Sequence, residues 1–342
     1  MLEQSGSGRS ASESKFFSAG RNLIVNYNAL LFLIVFVIVS SLMSPHFLTH
    51  RNIFNILVQN VHIFIISMGV MLTIMSGGID LSVAAVSGIG NVFGVMIITT
   101  QFGRANSWFL LVGVLGAVAI GCAVGAINGF LVGKMRLPPF ITTLAMMSAG
   151  QGIAFMLTGG GQIPLMAGDA ASRALINFAM ARDPLFNVQI AVYCTAVVVL
   201  IFWFIMRFTS FGRIVLAVGS NENAVRLAGI NVTMYKFAVY VISGGLAALA
   251  GVFLAGRQAL GTPIISEADY ALTAVAACVI GGVSLEGGKG RVTFTVVGVL
   301  IFALITNIMN LAGFPTFPQM IVKGGIIVGA ILLSRVGQKN TL

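Results

Sequence analysis

Three features of the sequence predict an all-α polytopic membrane protein with about ten transmembrane helices and one short cytoplasmic helix. Of its 342 residues, 58% are hydrophobic and 8% are charged, where a soluble domain carries about a quarter charged residues. The mean hydropathy is +1.01, and several apolar runs reach the ~20 residues a helix needs to cross a bilayer. Alternating segments of about ten residues, the mark of a membrane β-barrel, are absent.

The first apolar run, ALLFLIVFVIVSSLM from Ala29 to Met43, lies in a span at 28–44. A polar stretch rich in Ser and Gly precedes it without a small-residue cleavage site, so it is read as a retained span and not a signal peptide. Further spans follow at 53–75, 82–100, 108–131, 139–157, 188–206, 237–255, 270–283, 292–310 and 319–334. This divides the chain into an N-terminal tail at 1–27, a transmembrane domain at 28–334 and a C-terminal tail at 335–342, with both tails cytoplasmic.

The basic residues set this orientation. Arg9, Lys15, Arg21, Lys134, Arg136, Arg207, Arg213, Arg226, Lys236, Lys289, Arg291, Arg335 and Lys339 fall inside; Arg51, Arg104, Arg173, Arg182 and Arg257 fall outside; Lys323 lies in the last span. Thirteen against five obeys the positive-inside bias. The same bias accounts for the net charge of +10 without nucleic acid.

The fourth span carries Ala117, Gly121, Gly125, Gly129 and Gly133 at four-residue spacing, and the seventh carries Ser243, Ala247, Gly251 and Ala255. Such stripes let helix backbones approach closely in lipid. Cys122, Cys194 and Cys278 fall inside apolar runs and are read as packing residues. Two long loops remain, an outer one at 158–187 and an inner one at 207–236.

Polar chemistry gathers at few places. MSGGIDLSV, Met75 to Val83, interrupts the apolar pattern after the second span. Gly77 and Gly78 leave backbone groups that need partners, so this break faces protein or a water-filled cavity. Asp80, the only carboxylate between Glu13 and Asp169, is read as an N-cap for the third span. A loose echo, IGGVSLEGGKGRV, runs from Ile280 to Val292 on the same side. Gly287, Gly288 and Lys289 do not make a phosphate-binding loop, because Val283 and Gly290 stand where that motif needs Gly and Ser or Thr. Gln59, Asn60, Asn91, Asn128, Gln151, Asn307 and Asn310 lie in or beside spans. Interhelical hydrogen bonding and the lining of a polar path are both open to them, the first being the plainer reading for any one residue. His46 and His50 have no acidic ligand nearby, which favours a surface role over a metal site.

The inner loop contains SNENAVRLAGINV, Ser220 to Val232. Ser220 or Asn221 can cap a helix there, with Glu222 in its first turn. Ala224, Val225, Arg226, Leu227 and Ala228 propagate it, and Gly229 is a natural stop. The result is a helix of about two turns, too short and polar to cross the membrane. In a chain with no phosphate loop, it suggests a docking knob for a separate soluble motor.

SGGIDLSV, PPFITTLAMM from Pro138, GRIVLAVGSNENAVRLAGINV from Gly212, IGGVSLEGGKGR and QMIVKGGIIV from Gln319 occur in that order across the chain. In this it resembles the permease subunits of bacterial ABC sugar importers of the ribose, galactose and arabinose type. It departs from their pattern at Ala84, where they carry glycine, and at Ala271 and Thr273, where acidic residues are frequent. The resemblance implies an inner-membrane permease paired with a second copy or a paralogue. It further implies an ABC ATPase that binds ATP and receives the segment Ser220–Val232, and a periplasmic binding protein that delivers sugar. No catalytic residue, metal or cofactor is then expected on this chain. The alternative is an ion-coupled secondary transporter of a small polar solute, which needs ionisable groups near the bilayer midplane; only Lys323 qualifies. A membrane enzyme needs a nucleophile, base or metal constellation, and the sequence offers none.

Overall fold

The computed structural model describes residues 29–267 and 269–339. The predicted N-terminal tail with Arg9, Lys15 and Arg21 lies outside the described residues, as do the last residues of the C-terminal tail. The helices are α1 (Ala29–Met43), α2 (His50–Gln59), α3 (Val61–Met75), α4 (Val83–Ile98), α5 (Gln101–Ala105), α6 (Phe109–Gly129), α7 (Pro139–Thr158), α8 (Ala170–Met180), α9 (Ile190–Phe208), α10 (Ser210–Ser220), α11 (Glu222–Leu227), α12 (Val232–Gln258), α13 (Tyr270–Ile280), α14 (Val292–Leu311) and α15 (Thr316–Lys339). A π-helical turn, Phe130–Lys134, extends α6. Two residue pairs, Ile163–Pro164 and Leu260–Gly261, form a small antiparallel ladder.

The fold is that of an all-α polytopic membrane protein. Among the described residues six helical stretches are long and apolar enough to cross a bilayer: Phe109–Lys134, Pro139–Thr158, Ile190–Phe208, Val232–Gln258, Pro263–Ile280 and Val292–Leu311. The bent pair α2 and α3 makes a seventh. The shorter α1 and α4 are also apolar. The second predicted span is therefore two helices meeting at 48°. Asn60 sits at the bend and donates its side-chain amide to the Ile56 carbonyl at 2.7 Å, an acceptor from its own preceding turn. Polar insertion into the ladder is a recognised cause of a kink. Arg257, in the last turn of α12, steadies the bend by donating to the Gln59 carbonyl at 3.1 Å.

Every residue of α3 is buried, so it forms the core rod. Beside it α12 is wedged between α6 on one side and α3 and α4 on the other. The glycine stripe of α6 makes the first contact: a Cβ at Gly121 or Gly125 would overlap the carbonyl oxygens of Gly244 and Tyr240. The small stripe of α12 makes the second. Ser243 packs against Gly69 of α3, and a Cβ at Gly251 would overlap the Ser87 carbonyl of α4. The two stripes face different neighbours, so α12 approaches three helices at backbone distance.

Both long loops are folded. The outer one contributes a strand of the ladder and α8, whose Ala171, Ser172, Leu175 and Ala179 are buried. The inner one holds α10, α11 and the first turn of α12. Its hydrophobic residues had somewhere to go: Val218, Val225 and Val232 form a separate cluster with Ile214, Ile230 and Tyr235.

Candidate functional site: a capped surface helix and a buried break

Asn221 is the N-cap of α11, and its Oδ1 accepts from the Ala224 amide at 3.0 Å. Ser220 closes α10 instead, so the cap belongs to Asn221 alone. Gly229 has φ +80, the left-handed stop that its sequence position predicts. With ends fixed this way, α11 spans six residues, Glu222–Leu227.

Glu222 ties α11 down. Its two carboxylate oxygens accept from Lys236 Nζ and from the Arg226 guanidinium, both at 2.6 Å. Partial burial alone would raise its pKa, but the Lys236 hydrogen bond and the charges of Lys236, Arg226 and Arg136 outweigh that and hold it below the usual value. Lys236 lies on α12 and Arg136 in the loop before α7, so one carboxylate joins three elements. Arg136 reaches this place from a left-handed backbone, φ 58, ahead of Pro138 and Pro139. Neither anchor is visible as a motif; only the concentration of inner-side cations hints at them.

The side chains of α11 divide sharply. Val225 is 7% exposed and Leu227 90% exposed. Of the residues expected to form the docking knob, Val225 does not face outward: it packs inward on Val218 and Val232, because the fourth helical position after the cap turns toward α10 and α12. Besides the capping Asn221 and the paired Arg226, the exposed residues here are Asn223, Ala224, Leu227, Ala228 and Gly229.

The break between α3 and α4 is a buried polar node. Asp80, 1% exposed, accepts from the Ser82 amide at 3.0 Å, the Ser82 hydroxyl at 2.6 Å and the Ser243 hydroxyl at 2.8 Å. Ser82 Oγ in turn accepts from Asn128 Nδ2 at 2.9 Å. Asp80 thus binds one local amide and reaches across to α12, while Ser82, not Asp80, is the N-cap residue of α4. Gly77 has φ +84. Gly78 lies under Tyr240, whose hydroxyl a Cβ there would overlap. Thr143 of α7 donates to the Ile79 carbonyl at 3.0 Å. Elements α6, α7 and α12 therefore clamp the break, and it faces protein, as backbone satisfaction in a membrane requires.

Other polar residues of the spans are bonded within the chain. Asn91 donates to the Gly251 carbonyl at 2.9 Å and accepts from the Thr262 amide at 2.7 Å. Asn307 pairs reciprocally with Asn52, at 2.8 and 3.0 Å. Asn310 accepts from Gln319 at 2.8 Å. Asn60 serves the bend, and Gln59 is exposed. The contacts of Asn91, Asn307 and Asn310 are bonds between elements, while that of Asn60 stays within its own bent span.

The family described as branched-chain amino acid transport system / permease component matches residues 52–331. The ribose import permease protein RbsC of Escherichia coli (strain K12) is 36% identical over 315 residues, covering 92% of this chain and 95% of that one. The L-arabinose transport system permease protein AraH of the same strain is 33% identical over 339 residues, covering 99% and 98%. RbsC of Bacillus subtilis (strain 168) is 35% identical over 303 residues, covering 89% and 90%. No solved structure matches the chain. With the family matched from α2 into α15 and two differently named sugar permeases aligned over nearly their full lengths, the chain belongs to the branched-chain amino acid transport system permease family, whose members are transport components and not enzymes.

Proposed function

We propose that this chain is the membrane-spanning subunit of an ATP-driven sugar importer in a bacterial inner membrane. The single observation that carries the reading is α11: a helix capped by Asn221, pinned by Glu222 and presenting Leu227 fully to solvent. An unpartnered leucine at the tip of a rigidly held helix is what a docking element requires, and family membership supplies the partner class. The partner is an ABC ATPase that binds ATP, so the chain itself needs no cofactor. A periplasmic binding protein delivers the sugar, and a second permease copy or paralogue completes the path. The names of the relatives, ribose and L-arabinose permeases, support a sugar cargo.

In this reading the ten helical segments α1, α2 with α3, α4, α6, α7, α9, α12, α13, α14 and α15 are the ten spans. The tails at 1–27 and 335–342 and the α10–α11 hairpin are cytoplasmic. The ion-coupled alternative gains nothing from Asp80, whose oxygens are already engaged by Ser82 and Ser243. Affinity purification of the tagged chain from mild detergent tests the reading: an ATPase chain should co-purify, and purification without one would sink it.

A further inference from the structure

Three segments remote in sequence meet backbone to backbone at the base of α11. They are the end of α3 with the residues after it (Met75 to Gly77), the last turn of α10 (Gly219 and Ser220) and the loop after α13 (Gly287 and Gly288). The Gly288 amide donates to the Met75 carbonyl at 3.0 Å. A Cβ at Gly219 would overlap the Met75 carbonyl oxygen and stand 2.6 Å from the Gly288 nitrogen. One at Gly287 would stand 2.8 Å from the Gly219 oxygen and 3.0 Å from the Gly77 Cα, and one at Gly288 2.7 Å from the Ser220 Cα. Gly77, Gly287 and Gly288 all hold left-handed backbone, φ +84, +85 and +71.

No side chain separates these backbones, so none can change rotamer to absorb a displacement. The junction also has defined ends. Ser220 immediately precedes Asn221, the cap of α11. Gly77 precedes the Asp80 node, which grips α6 and α12 through Asn128 and Ser243. Coupling between distant sites can travel through contiguous packed contacts, and here three backbones meet between α11 and the buried break. We propose that the glycine junction is the positioning element that transmits movement of α11 to the break between α3 and α4. The echo between MSGGIDL and VSLEGGKG has a physical sense here: both loops supply glycines to the same contact. The inference rests on α11 being the ATPase-docking helix.

A reversible lock tests it. Ser220→Cys with Gly288→Cys is made in the complete importer, with ATPase and binding protein, in proteoliposomes. A Cβ built at Gly288 lies 2.8 Å from the Ser220 Cβ, and a disulfide needs about 3.8 Å, so a small outward shift admits the bond. The expected result is that the oxidised pair retains the ATPase but loses ATP-driven sugar uptake at least tenfold, and that reductant restores it. Wild-type uptake by the fully oxidised pair overturns the relay. So does release of the ATPase on oxidation, because the effect then lies in docking. If the reduced pair itself lacks uptake, Gly219→Ala decides, since Gly219 has no positive φ and tests contact alone. It should retain the ATPase with uptake lost, while Gly152→Ala, with nothing within 4 Å of its Cβ, behaves as wild type; wild-type uptake by Gly219→Ala overturns the relay. The docking reading is tested separately: undiminished ATPase recovery with Leu227→Asp would sink that reading and leave the lock result to stand on its own.

Discussion

Leu227→Ala separates docking from folding. The side chain is 90% exposed in the free chain, so its truncation should change the stability of the permease by no more than about 0.5 kcal/mol. If Leu227 enters an apolar cleft of the ATPase, truncation removes three buried carbons at about 0.8 kcal/mol each, close to 2.4 kcal/mol when burial is complete. That corresponds to roughly fifty-fold weaker binding at each site. Val225→Ala is the internal contrast. Val225 is 7% exposed, within the cluster of Val218 and Val232; losing two carbons costs about 1.6 kcal/mol of the packing that holds α11 in place. The assay is titration of purified ATPase against permease in nanodiscs, beside thermal unfolding of each permease alone. Leu227→Ala should weaken binding with an unchanged melting temperature, and Val225→Ala should loosen α11 first. Binding by Leu227→Ala within twofold of wild type would refute the reasoning.

The other predictions concern the anchors and the topology. Glu222→Gln removes the charge that holds Lys236 and Arg226; these pairs are partly exposed, so the loss is about 0.2–1 kcal/mol, seen as faster amide exchange across α11. Because the Glu222 pKa is lowered in the fold, its contribution is complete above the ordinary glutamate value of about 4.3 and is lost as pH falls through the lower folded value; the protection factors of the α11 amides, corrected for the intrinsic pH dependence of exchange, should be flat from neutral pH down to about 5 and fall only in stronger acid. Asn52→Ala leaves the Asn307 amide without its partner and should cost about 1–3 kcal/mol, while the double substitution with Asn307→Ala should cost less than the two single losses together. For topology, Asn177→Cys on α8 should react with an impermeant thiol reagent from outside, and Asn223→Cys on α11 only after the membrane is opened; the opposite pattern would invert the orientation.

The apolar helices and the short surface helix α11 were legible in the sequence because each leaves a local signature. Composition and run length mark the spans, and the Asn221 cap, Glu222 and the Gly229 stop bracket α11 within nine residues. The bend at Asn60 was not legible, because one asparagine in an apolar run reads equally as an interhelical donor. The inward turn of Val225 depends on Val218 and Val232, residues of separate helices that only the folded hairpin brings together. The bonds of Asn91 and Asn307 were not legible, since their partners Gly251, Thr262 and Asn52 are remote in sequence. The resemblance between the two glycine loops was visible as a pattern, but its meaning required seeing that both meet at Gly219.

Uptake in proteoliposomes tests the central claim most directly. The chain is reconstituted alone, and separately with its ATPase and binding protein, and accumulation of radiolabelled ribose and L-arabinose is followed with ATP inside the vesicles. Accumulation against a gradient should require the ATPase and ATP and should be absent from vesicles holding the chain alone. Concentrative uptake by the chain alone under a proton or sodium gradient would contradict the account.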